Sequence, residues 1–101
     1  MAAVKRIVLF RFKTGTTDET IGQILDGLSG LKDKIPGIKD FFSGVYSSPD
    51  GLNQEYTHAF VMTFADEASR DAFGPHKAHQ KLVEELVGPN LEGVLAFDFL
   101  V

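Results

Sequence analysis

The chain has 101 residues, 44% of them hydrophobic and 24% charged, which suits one globular domain. It has no cysteine, which excludes disulfides, thiolate metal sites and cysteine catalysis. Its net charge is −4, with no Lys/Arg run longer than two, which argues against nucleic acid and against an anionic membrane surface as partners.

Val4 to Lys13 is β-branched and aromatic without a breaker, so it reads as a strand. Its apolar run, Ile7 to Phe10, is too short for a signal peptide or a membrane span, and a cytoplasmic protein is expected. After the turn at Thr14-Gly15-Thr16, Thr16 with Glu19 fits a capping box that opens a helix. Ile21, Ile24, Leu25, Leu28, Leu31 and Ile35 recur at three- and four-residue steps and give it one apolar stripe to about Lys34. Pro36-Gly37 ends it. Ile38 to Ser47 is a second strand, Ser48 to Gly51 a turn, and Tyr56 to Phe64 a third strand. Asp66 caps a short helix from Glu67 to about Phe73. Gly74-Pro75 interrupts it, and Pro75 suits the first turn of a helix from about His76 to Val87. The final strand is Gly93 to Val101.

The order β-α-β-β-α-β predicts an α+β fold of the ferredoxin-like, split-βαβ kind: one domain over residues 1–101, with a four-stranded antiparallel sheet covered by helices on one face. The opposite face of such a sheet should be polar if water covers it. Here one face gives Val8, Phe10, Phe12, His58, Phe60, Met62, Phe64, Val94, Ala96 and Leu100. The other gives Ile7, Leu9, Ala59, Val61, Leu95, Phe97 and Phe99. A second apolar face of this size predicts burial against a second copy, and so a homodimer.

The three histidines are the acid/base groups suited to neutral pH. His58 shares its strand face with Phe60, Met62 and Phe64, where a hydrogen-bonded core role competes with a catalytic one. His76 and His79 are three apart on a predicted helix, hence on one side of it. That pair could start a metal site, but neither HExxH nor a carboxylate cluster accompanies it, so no metal is expected. P-loop, GxGxxG and GxSxG signatures are absent, and no cofactor is expected. Asp98 lies on the helix-side face in register to pair with Arg6, since a buried charge needs a partner.

The opening VKRIVLFRFK, the junction Ile35-Pro36-Gly37-Ile38, Tyr56-Thr57-His58 before alternating apolars, His76-Lys77-Ala78-His79 and the closing Phe97-Asp98-Phe99 together resemble the stress-responsive dimeric A/B barrel domain. The resemblance implies a homodimer whose two sheets form a central α+β barrel. It also implies a small hydrophobic ligand pocket between helices and sheet, in a family with many members of no assigned chemistry. One member group, olivetolic acid cyclase, performs an aldol condensation. Its catalytic histidine matches His79 and a pocket histidine matches His58. The resemblance further implies a lining from Leu25, Leu28, Phe60, Met62, Phe73 and His76. The cyclase's tyrosine falls on Phe73, which has no hydroxyl to polarise a carbonyl, and another pocket histidine falls on Arg6.

Three functions compete. One is a ligand-binding stress protein without essential turnover. The second is a cyclase or lyase with His79 as general base, His58 as orienting group and Arg6 at the enolate oxygen. The third, from the wider superfamily, is a monooxygenase or haem-binding protein using a histidine as axial ligand.

Overall fold

A computed structural model describes residues 2–101. Four strands, β1 (Val4–Phe12), β2 (Ile38–Val45), β3 (His58–Phe64) and β4 (Leu91–Leu100), form one antiparallel sheet in the order β2-β3-β1-β4. Register follows the alternation of apolar residues. Val8 sits between Phe60 and Ala96, and Ile7 between Val61 and Phe97. A one-residue slip would move every one of these side chains to the other face.

Three helices pack on one side: α1 (Asp18–Gly30), α2 (Glu67–Phe73) and α3 (Lys77–Leu82). The cap of α1 is Thr17 rather than Thr16. Its hydroxyl accepts the Thr20 N–H at 3.1 Å, while the Thr16 hydroxyl donates back to Lys13 O and holds the preceding turn. The helix stops at Gly30 and tightens into a 3-10 turn, Leu31–Asp33. The apolar stripe runs on regardless, and Leu31 and Ile35 are buried. Gly37 has φ +91°, and a Cβ there would collide with Ser69, so this junction requires glycine.

The last helical segment differs most from expectation. Pro75 lies outside α3, and His76 is the cap: its Nδ1 accepts the Ala78 N–H at 3.1 Å. After Leu82 the chain widens into a π-helical turn, Val83–Val87, then a 3-10 turn, Gly88–Asn90. The flanking Gly88-Pro89 cannot continue an α-helix.

The core lies between sheet and helices and includes Val4, Ile24, Leu31, Met62, Phe64 and Phe73. Phe41 stacks on Phe60 at 5.1 Å, and Phe64 meets Phe73 edge-on at 5.2 Å, both favourable aromatic geometries. Among the described residues no helix packs on the other sheet face, and only the 46–57 loop borders it at one end. On β2 Phe42 is 67% exposed, and on β4 Phe97 is 64% exposed with Leu95 and Phe99 beside it. The helices also fall short of the β4 edge. Val94 and Leu100, expected to meet them, remain about half exposed at 53% and 54%. Among the described residues no helix is long and apolar enough to cross a membrane.

Candidate functional site

A cavity of about 230 Å³ lies between the sheet and the α3 segment. Its floor is Val8, Phe10 and Phe60, its roof Leu28, Phe73 and Val83, and Arg6 and His79 are its polar groups. Val94 and Ala96 of the open β4 edge form its rim. The roof follows from helix phase, because His79, Val83 and Val87 are four residues apart and share one side. The π turn widens the backbone where Val83 and Val87 face the cavity, a distortion that recurs at functional sites.

His79 is half-buried and packs on the Phe73 ring, centroids 4.4 Å apart. Its Nδ1 lies 2.9 Å from Gly74 O. A carbonyl only accepts, so Nδ1 carries the proton, and in the neutral ring the Nε2 lone pair is free. His76 holds the opposite tautomer, because its Nδ1 must accept from Ala78 N–H. The Gly74-Pro75 break therefore has a local use. It frees the Gly74 carbonyl from helix bonding to orient His79.

Arg6 is committed to Asp98, as the register predicted. Nε to Oδ1 is 2.8 Å and Nη2 to Oδ2 is 2.9 Å, a bidentate pair. Its guanidinium also stands 5.4 Å from the Phe64 ring centre and 5.9 Å from that of Phe73. Arg70 reaches the same carboxylate at 3.5 Å while binding Asp71 at 2.8 Å. The Arg6 hydrogen bonds, then the charges of Arg6 and Arg70, hold the Asp98 carboxyl below its ordinary range despite partial burial. Two Arg6 N–H groups serve Asp98, and its remaining N–H groups are available to a ligand oxygen.

The expected site residues therefore divide. Arg6, Leu28, Phe60, Phe73 and His79 line one cavity. Met62 is fully buried in the core beneath it, and Leu25 packs against that core. His76 spends its Nδ1 on the helix cap. His58, expected beside His79, instead lines a separate depression of about 320 Å³ where the 46–57 loop meets the other sheet face, with Tyr46 and Tyr56 of the loop and Leu9, Phe42 and Val61 of that face. There its Nδ1 is 2.8 Å from the Thr57 hydroxyl, and its ring meets Phe12 edge-on at 5.4 Å. His58 shares the strand face of Phe60 but sits at the far end of β3. Alternation gives the face of a residue but not which end of it a helix roofs. Val83 and Val87 also line the cavity, and their four-residue spacing after His79 is the sequence signal for it. Arg70 carried no such signal.

The comparisons with known proteins agree with this architecture. The family model of the stress responsive A/B barrel domain matches residues 4–101. The chain belongs to this family. It is 32% identical over 96 residues to the stress-response A/B barrel domain-containing protein HS1 of Arabidopsis thaliana, covering 95% of this chain and 87% of that protein. A dimeric ferredoxin-like protein of unknown function from Jannaschia sp. superposes with a TM-score of 0.83 at 25% identity, covering 98% of this chain and 99% of the other. A hydroxynitrile lyase from Passiflora edulis superposes with a TM-score of 0.89, over 98% of this chain and 93% of its own, but at 23% identity the likeness is one of fold. A fold shared with proteins of such different description leaves function to the residues of each site.

Proposed function

We propose that this protein acts in the cytoplasm as a homodimer joined through the bare sheet face, and that the cavity beneath α3 binds a small, mostly apolar carbonyl compound. The observation that carries the ligand reading is that one cavity holds both an Arg6 donor, for a carbonyl oxygen, and a His79 Nε2 acceptor, for a hydroxyl or an acidic C–H. The Gly74 carbonyl fixes the proton on Nδ1, and the cavity walls are otherwise apolar apart from Arg6. An apolar ligand with one acceptor or one acidic C–H fits a pocket with so few polar groups. The dimer rests on the exposed Phe42, Leu95, Phe97 and Phe99, a patch that monomers avoid, and on the dimeric Jannaschia relative.

A catalytic role at the same site is the second reading, and the free Nε2 favours it. His79 Nε2 would take the proton from a carbon next to the carbonyl. The C–H pair would move to form the enolate, and an Arg6 N–H would donate to the enolate oxygen. The resulting imidazolium would keep its Nδ1–H bond to Gly74. With Phe73 in place of a tyrosine the site offers no hydroxyl to polarise the carbonyl beside His79. Binding without essential turnover is therefore the primary reading, and His58 has no part in it. The His79 cavity, at about 230 Å³, is smaller than the roughly 300–1,000 Å³ usual for drug-sized ligands, which favours a small ligand over a haem there.

The test compares wild type with His79→Ala and His79→Gln against a panel of small aromatic and aliphatic carbonyl compounds. Binding is read by calorimetry and turnover by absorbance. Because Nδ1–H is held by Gly74 and Nε2 can only accept, the proposal expects both variants to bind more weakly those carbonyl compounds that present a hydroxyl or an acidic C–H to Nε2, with retained binding of analogues that carry neither. Equal affinity across all three proteins would remove His79 from the site. Equal turnover would remove it from any reaction.

A further inference from the structure

The helix layer carries a second cavity that shares no lining residue with the first. It is a groove of about 440 Å³ between α1 and α3. Its floor is apolar, with Leu31 buried and Leu82 and Leu86 half-buried. Gly27 lets the two helices come this close, since a Cβ there would stand 2.8 Å from Leu82 Cδ1. The rim is cationic: Lys34, Lys77 and Lys81 line the groove and are exposed. Among the described residues none of the three forms an ion pair; the salt bridges belong to Arg6 and Arg70. Glu85 is the sole carboxylate of the lining.

This distribution runs against the charge of the molecule. The chain has ten cationic side chains and a net charge of −4, yet three unpaired lysines converge on one groove. Lys77 and Lys81 stand four apart on one short helix, an arrangement that weakens a helix through like-charge repulsion. An anion between them relieves that repulsion, and the leucine floor below supplies apolar burial. A dimer through the bare sheet face leaves the groove open, because the helices lie on the other side of the sheet.

We propose that the α1–α3 groove is a binding site for an amphipathic carboxylate, with its apolar chain on Leu31, Leu82 and Leu86 and its head group among Lys34, Lys77 and Lys81. The site is independent of the His79 cavity. Its test is a head-group series on the full chain: decanoate, decanol and decyltrimethylammonium, each below its micelle concentration. Binding is read by calorimetry and located by methyl NMR. Decanoate binds at least about tenfold more tightly than the other two, loses affinity as salt rises, and shifts the methyls of Leu31, Leu82 and Leu86. Lys77→Gln/Lys81→Gln weakens it by about tenfold with the circular dichroism spectrum unchanged. Decanol binding as tightly as decanoate would overturn the proposal. So would an unaffected double variant, or shifts confined to Leu28, Val83 and Val87, which would put the ligand in the other cavity. If the double variant does not fold, the head-group series and salt dependence on wild type decide.

Discussion

Replacing Asp98 by Asn tests whether the Arg6 pair holds the cavity wall. The substitution keeps the shape and one acceptor but removes the charge opposite Arg6. Two hydrogen bonds to a charged group, 2.8 and 2.9 Å long, are affected, and such bonds contribute about 1.5–3 kcal/mol each. Both side chains are about a quarter exposed, so water recovers part of the loss, and Arg70 loses only a longer contact of 3.5 Å. The expected destabilisation of Asp98→Asn at pH 7 is about 2 kcal/mol. For a domain of this size that lowers the melting temperature by roughly 4–8 °C per kcal/mol. Protein concentration must be held fixed, because dimerisation makes melting concentration-dependent. The pH dependence has a definite sign. The folded Asp98 carboxyl is held below its ordinary value of 3.8. Its contribution is therefore fully present above that ordinary value and disappears as pH falls through the depressed folded one. Thermal melts of both proteins across pH 7 to 2 should show a constant gap at the upper end that closes below about pH 3.8. Equal melting at pH 7, or a gap that persists undiminished at the lowest pH, would refute the role given to this pair.

Two further substitutions probe the interface and the cavity roof. Phe97→Asp places a charge on the bare face midway along the edge strand β4, where Phe97 is 64% exposed in one chain. It should give a monomer in sedimentation velocity at concentrations where wild type and Phe97→Leu are dimers. Phe73 is 2% exposed and packs on both Phe64 and His79. Phe73→Ala should cost about 3–5 kcal/mol in urea unfolding, and it should loosen the selectivity of the cavity for small ligands.

The strands are legible because alternation holds along most of each strand, broken by irregularities at Ile38/Asp40 and Arg11/Phe12. Val8, Phe10, Phe60 and Met62 face one way and Ile7, Leu9, Val61 and Phe97 the other, as their spacing requires. The Arg6–Asp98 pair was legible for the same reason, since it follows from register and the cost of an unpaired charge. Helix ends were less so. Thr16 and Thr17 both offer a hydroxyl, and only the turn at Lys13 decides which one caps. The break at Gly74-Pro75 was visible, but its consequence was not. The proton position on His79 depends on a carbonyl five residues away that points at the ring. Alternation gives His58 its face but not its distance from His79, because periodicity carries no information about where α3 crosses the sheet. The lysine groove is not legible in the sequence, because Lys34 is distant from Lys77 and Lys81 and the three line one groove only when α1 packs on α3.

The central claim is that the cavity beneath α3 receives a small apolar carbonyl compound against His79. Titrating the labelled full chain with acetophenone, whose oxygen can accept from Arg6 and whose methyl C–H can face His79 Nε2, followed by methyl and imidazole NMR, addresses it directly. The account predicts saturable shifts at the Leu28, Val83 and Val87 methyls and the His79 ring, with Leu82 and Leu86 of the neighbouring groove unmoved. Shifts confined to the groove or to the outer sheet face, or none at the His79 ring at saturation, would contradict it.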